Sequence, residues 1–202
     1  MQALRRIVHT ALTPALLAGV FAAPVLAAGS GWTTERDVDS PSYAVVEPRS
    51  SDLNIYALVL ACEPADDQRV VQLQLYLTGN GPLIPVGAAT DRLKTDPRAE
   101  ISIDGKIFPV SLLFAGDHVV LADETQRMFP RLSERLLDAL EDGATMKVSF
   151  DLLAEPARKS PAFDGEAVVE LRAGAGGSAV AAVRRCGAGG ELQSAALGPD
   201  PR

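Results

Sequence analysis

At 202 residues and 47% hydrophobic composition, the chain can enclose one core of ordinary size and little more. Its 26 acidic against 19 basic side chains give a formal net charge of −7, which argues against nucleic acid and anionic membrane surfaces, since both call for a basic stripe. The two histidines, one of them at position 9, exclude histidine-cluster metal sites.

Met1 to Ala28 has a basic head at Arg5 and Arg6, an apolar run from Ala11 to Phe21, and a small-residue end, Val25-Leu26-Ala27-Ala28. That is the layout of a cleavable export signal. The run is shorter than the roughly 20 residues a membrane span needs, and Pro14 and Pro24 interrupt it. Cleavage is expected after Ala27, making residues 1–27 a signal peptide and the product periplasmic or secreted, with no transmembrane segment. Arg5, Arg6 and His9 leave with the leader, so the mature chain is more acidic and keeps His118 alone.

Residues 28–51 read as a loose N-terminal arm with one short edge strand at Ser42 to Val46, followed by a single β-rich domain over 52–187. Leu53 to Cys62 is a nearly continuous apolar run, the pattern of a strand buried on both faces, ended by Glu63-Pro64. Val71, Leu73, Leu75 and Leu77 alternate with Gln72, Gln74 and Tyr76, a half-buried strand with one wet face. Ile101 to Leu113 holds a hairpin around Asp104-Gly105, residues that tolerate the positive φ of a type I′ turn. A second pair is expected across Ala115-Gly116-Asp117 into His118 to Ala122.

Leu132, Leu136, Leu137 and Leu140 predict a short helix, with Ser133 or Arg131 near its start and Gly143 as its C′ glycine. Met146, Val148, Phe150 and Leu152 predict the next strand, Pro156 and Pro161 bracket a loop, and Glu166 to Leu171 predicts the last strand. After the Gly174 to Gly177 hinge, Ser178 is expected to cap a helix placing Ala179, Ala182, Val183 and Cys186 on one apolar face, stopped by Gly187. Residues 188–202 read as a disordered tail.

Cys62 and Cys186 are the only cysteines, and an even count in an exported chain predicts a disulfide between them. They lie far apart in sequence, unlike the Cys-x-x-Cys of redox pairs, so the bond is read as structural. Closing a loop of more than a hundred residues is worth at most about 4 to 5 kcal/mol in the chain-entropy model.

Catalytic signals are thin. No Gly-x-Ser-x-Gly elbow, EF-hand loop or P-loop is present. His118 beside Asp117, with Asp123 and Glu124 behind, has the elements of a carboxylate-oriented base; the ordinary alternative is a solvated strand edge. Asp37 with Asp39, Asp66 with Asp67, and Asp151 with Glu155 are acidic pairs of the kind glycoside hydrolysis uses, and equally of the kind solvated loops carry. Gly29-Ser30-Gly31-Trp32 matches the Gly-x-Trp of lipocalin-like barrels, which two helices in the second half fit poorly; Trp32 is read as an anchor packing the arm onto the domain. No metal or cofactor site is expected.

The order of leader, early Trp, strand ending in Cys62, Asp104-Gly105 hairpin, helix with Ala139-Leu140 and Gly143, and Gly177-Ser178-Ala179 through Cys186 resembles exported bacterial proteins of the invasion-associated locus B type and the related type VI secretion accessory proteins called VasI. Two features depart from that pattern. Val169-Glu170-Leu171 is followed by a longer Gly-Ala insertion than the usual Phe-x-Leu-x-Gly lead, and an extra N-terminal cysteine of some members is missing. The resemblance implies a β-sandwich-like domain without catalytic residues. The expectation is therefore an α+β, β-rich, antiparallel sandwich-like domain with one or two short helices. Its role would be that of a non-enzymatic envelope accessory or interaction protein whose partner is another envelope protein. A small-ligand-binding β-barrel or sandwich is the alternative, and an acid-pair hydrolase around Asp117, His118 and Asp123 comes third.

Overall fold

The computed structural model describes residues 31–35, 43–65, 68–125, 129–154, 163–173 and 176–188. The expected signal peptide and the tail beyond Ala188, together with Asp37, Asp39, Asp66, Asp67, Glu155, Pro156 and Pro161, lie outside the described residues. The chain forms an α+β, β-rich domain of strands β1 (Thr33–Glu35), β2 (Tyr43–Val46), β3 (Ser50–Ser51), β4 (Ile55–Ala65), β5 (Gln68–Leu77), β6 (Leu93–Ile103), β7 (Lys106–Ala115), β8 (His118–Ala122), β9 (Thr145–Leu153) and β10 (Gly165–Glu170). Helix α1 (Glu134–Asp142) lies between β8 and β9, and α2 (Gly176–Ala188) follows β10.

All pairings are antiparallel, and the strands follow the order β1-β2-β4-β5-β8-β7-β6-β9-β10-β3. The ten strands form one curled sheet whose two parts are joined by β7, which pairs with β6 over Lys106–Val110 and with β8 over Ser111–Ala115. Its curl follows from the chain itself. β2 sits near one end of the order and β3 at the other, yet the four peptide steps from Val46 to Ser50 reach at most about 14 Å. The two ends of the sheet must therefore come close, and Arg49 N–H donates to the Val168 carbonyl at 2.8 Å to hold them there.

Inside the curl, Leu58, Leu60, Leu73, Leu75, Phe108 and Phe150 are fully buried. Both helices add to this core, α1 through Leu136, Leu137 and Leu140, and α2 through Ala179, Val180 and Val183. α2 packs against β2, β4, β5 and α1. Arg184 of α2 is clasped by Glu134, Asp138 and Glu141 of α1, three carboxylates that share one helical face and would otherwise repel.

Local chemistry explains the turns. Asp104 and Gly105 have φ of 48° and 86°, the doubly left-handed pair of a type I′ hairpin, and Ile103 pairs with Lys106 across them. Ala115 pairs with His118 around Gly116, whose φ is 63°. Ser133 caps α1, its side chain accepting from Leu136 N–H.

Several expectations are corrected. Within the expected loose arm, Thr33–Glu35, Tyr43–Val46 and Ser50–Ser51 are strands of the sheet, and Trp32 is wholly buried. β2 is no edge strand, because β1 covers one side and β4 the other. β4 runs past Glu63-Pro64 to Ala65; its ladder with β2 stops at Leu60, so the missing N–H of Pro64 breaks no β2 bond there. Gly143 ends α1 at φ −70°, not in the left-handed conformation. Its need for glycine is spatial, since a Cβ would strike the Ile103 side chain and the Ala139 carbonyl. Ser178 lies inside α2, which begins at Gly176 and extends past Gly187 to Ala188.

Candidate binding face

A strand shows alternate side chains to opposite faces. On β4 the inward set is Leu58, Leu60 and Cys62, leaving Ala57, Val59, Ala61 and Glu63 on the face turned away from the core. The register sets Ala57 beside Tyr76, Val59 beside Gln74 and Ala61 beside Gln72 of β5, and Val59 beside Val45 of β2. A row of small side chains is thus flanked by large ones, Tyr43 on one side and Tyr76 on the other. That difference in size makes an open trough of about 600 Å³, lined also by Glu35, Tyr56 and Glu63.

Tyr56 falls at the register shift between Ile55 and Ala57. A bulge re-aims the side chain it carries, and Tyr56 stands 51% exposed. All three tyrosines of the chain therefore meet at one trough. Tyr56 and Tyr76 lie edge to face with centroids 6.2 Å apart, and Tyr76 stacks on His118 at 5.4 Å.

Polar contacts hold the walls. Tyr43 Oη donates to Glu35 Oε2 at 2.5 Å. Gln74 Nε2 donates to Glu63 Oε1 at 3.0 Å and Gln72 Nε2 to the Pro130 carbonyl at 2.7 Å. Gln72 and Gln74 are buried, so the face of β5 expected to be wet is covered beside the trough. Burial, then the nearby charges of Asp117 and Glu63, push the Tyr76 phenol above its ordinary value. Glu35 and Glu63 make the trough's lining acidic, and among the described residues neither has a cation within ion-pair distance.

The catalytic candidates are not gathered. His118 Nδ1 lies 2.8 Å from Asp117 Oδ1, and that hydrogen bond holds the Asp117 carboxyl below the usual range. Asp123 sits beyond the far end of β8, where it accepts from Ser133 N–H at 2.7 Å and from the Ser133 hydroxyl at 2.5 Å. The two oxygens of Asp151 are taken by Lys94 and Arg98, and Glu155, its expected partner, lies outside the described residues. Burial would raise the Asp151 carboxyl, but these two donors and their charges hold it below the ordinary value. Among the described residues no three potential ligands cluster as a metal site would require, and no helix is long and apolar enough to cross a membrane.

Trp32 packs in the core, as an anchor should, and among the described residues its Nε1–H has no acceptor. Gly31 before it touches the Ala173 carbonyl so closely that any Cβ would overlap it, which is a packing reason for the Gly-Trp pair; Gly29 and Ser30 lie outside the described residues. Cys62 is 2% exposed, on the inward face of β4. The backbone of Cys186 belongs to α2, which packs against β4, while its side chain lies outside the described residues.

Leu53 to Cys62 is buried on both faces for most of its length, as the apolar run predicts, with Ala57 and Ala61 only 3% and 6% exposed; the sequence reading missed the trough that lies over them. The signal was present in the small outward positions Ala57, Val59 and Ala61 next to Tyr43, Tyr56 and Tyr76. Against known families, characterised proteins and solved structures, the chain matches no family model, no characterised protein and no solved structure.

Proposed function

We propose that the protein is a non-enzymatic accessory module of a cell envelope or extracellular space that offers the outer face of β2, β4 and β5 to another envelope protein. The observation that carries this is the meeting of all three tyrosines on one open trough, opposite the face on which α2 packs. Tyrosines are amphipathic anchors enriched where proteins bind one another. A rigid sheet whose far side is already filled presents them at little entropic cost. The leader-like segment and the layout shared with invasion-associated locus B proteins support an exported, sandwich-like module, and a Cys62–Cys186 bond would fix α2 behind the trough.

The test places a photo-crosslinking residue at position 56, or at exposed Asp91 as control, in cells exporting the protein. A discrete adduct from 56 alone is expected; identical products from both positions refute the proposal. Sequencing the mature N-terminus should find Ala28, and non-reducing peptide mapping should join the Cys62 and Cys186 peptides.

A further inference from the structure

On that functional reading, the chemistry of the trough selects its occupant. The floor of Ala57, Val59 and Ala61 is apolar and receives methylene stems, whereas the surroundings favour positive charge. Ring faces attract ammonium and guanidinium groups. Carboxylates give such groups charge-assisted hydrogen bonds, and Arg can meet them with two at once. Glu35 and Glu63 supply the carboxylates without a cation of their own among the described residues. Glu35 pairs with Tyr43, and Tyr43 adjoins the β2–β4 register beside Ala61, so both carboxylates stand toward one end of the trough, with Tyr56 and Tyr76 toward the other. An anionic occupant would meet repulsion from both.

Length settles what carries the cation. From Ala57 to Glu63 the floor runs for six residue steps, about 20 Å at strand rise. An extended chain puts alternate side chains about 7 Å apart, so about three of them fit along that distance, whereas a lone small ammonium ion leaves most of it empty. We infer that the trough formed by Tyr43, Tyr56, Tyr76, Glu35 and Glu63 receives Arg or Lys side chains from an extended basic segment of the partner protein.

The test titrates the mature chain, at low salt, with a ten-residue extended peptide carrying arginine at alternate positions. The same peptide with citrulline in place of arginine and tetramethylammonium chloride serve as comparisons, and affinity and tyrosine ring resonances are both followed. The arginine peptide should bind at least tenfold more tightly than the citrulline peptide and shift the rings of Tyr43, Tyr56 and Tyr76. Tyr56→Ala and Glu63→Gln should each weaken it threefold or more, and Asp91→Asn should not. Equal affinity for the two peptides, unmoved tyrosine rings, or saturation by tetramethylammonium at lower concentration than by peptide each overturns the inference. If the adduct at position 56 survives Glu35→Gln with Glu63→Gln, the binding face stands and only its preference for cations falls.

Discussion

Replacing Asp151 by Asn tests how β9 is joined to β6. The Asp151 side chain is 4% exposed, whereas Lys94 and Arg98, which bind its two oxygens, are 29% and 57% exposed. Hydrogen bonds to charged groups contribute about 1.5 to 3 kcal/mol each. Both cations can turn toward water once the carboxylate is gone, so the pair together should be worth about 2 to 3 kcal/mol, below the cost of stranding a fully buried charge. In urea unfolding at pH 7 the variant should lose that amount, and its melting temperature should fall by roughly 5 to 10 °C. The pH dependence follows from the direction of the shift. Because folding depresses the Asp151 carboxyl, its contribution is complete above the unfolded value near 4 and disappears as pH falls through the lower folded value. The gap between wild type and variant should therefore hold from pH 7 to about pH 5 and close toward pH 2. A gap that is the same at pH 7 and pH 2, or one under about 0.5 kcal/mol at pH 7, refutes the assignment.

Gly31→Ala should cost about 3 kcal/mol or more, because the added Cβ overlaps the Ala173 carbonyl and must move the backbone that seats Trp32; a loss below 1 kcal/mol by urea unfolding would contradict the close approach. Trp32→Phe, by contrast, removes the buried Nε1–H that lacks an acceptor among the described residues, and that gain should offset part of the lost ring volume, so calorimetry should show it costing less than the roughly 3 to 5 kcal/mol of a buried Trp truncated to Ala. Cys62→Ser and Cys186→Ser should each lower stability by several kcal/mol and cut accumulation after export; equal melting of oxidised and reduced wild-type protein would refute a stabilising bond. Arg184→Gln should cost about 1 kcal/mol at low salt and less at high salt, since its three partners on α1 are partly exposed; a loss insensitive to salt would refute an electrostatic clasp.

Local chemistry made much of the fold legible. The Asp104-Gly105 turn, the Ser133 cap and the alternation from Met146 to Leu152 all act within a few residues, and each appears where its pattern places it. Boundaries were harder. Pro64 reads as a strand breaker until the unpaired stretch of β4 beyond Leu60 is known, and β6 begins at Leu93 although Pro97 interrupts its pattern, because its register with β9 shifts over that stretch. The acidic side chains proved the least readable. Asp104, Asp123 and Asp164 spend their oxygens on backbone N–H groups of Ala144, Ser133 and Leu153, partners that no local spacing reveals.

What the sequence by itself determined is the kind and order of elements, because side-chain periodicity and turn stereochemistry are local properties of a chain. Tertiary structure alone decided which faces are covered. Gln72 and Gln74 look like a wet face until the segment at Pro130 closes over Gln72, while Ala57, Val59 and Ala61 look like plain core until the register sets Tyr43 and Tyr76 beside them and makes their row the floor of a trough. Alternation groups the residues of one face, but only the path of the whole chain sets what lies against it. The binding face, unlike the strands that build it, therefore belongs to the closed sheet.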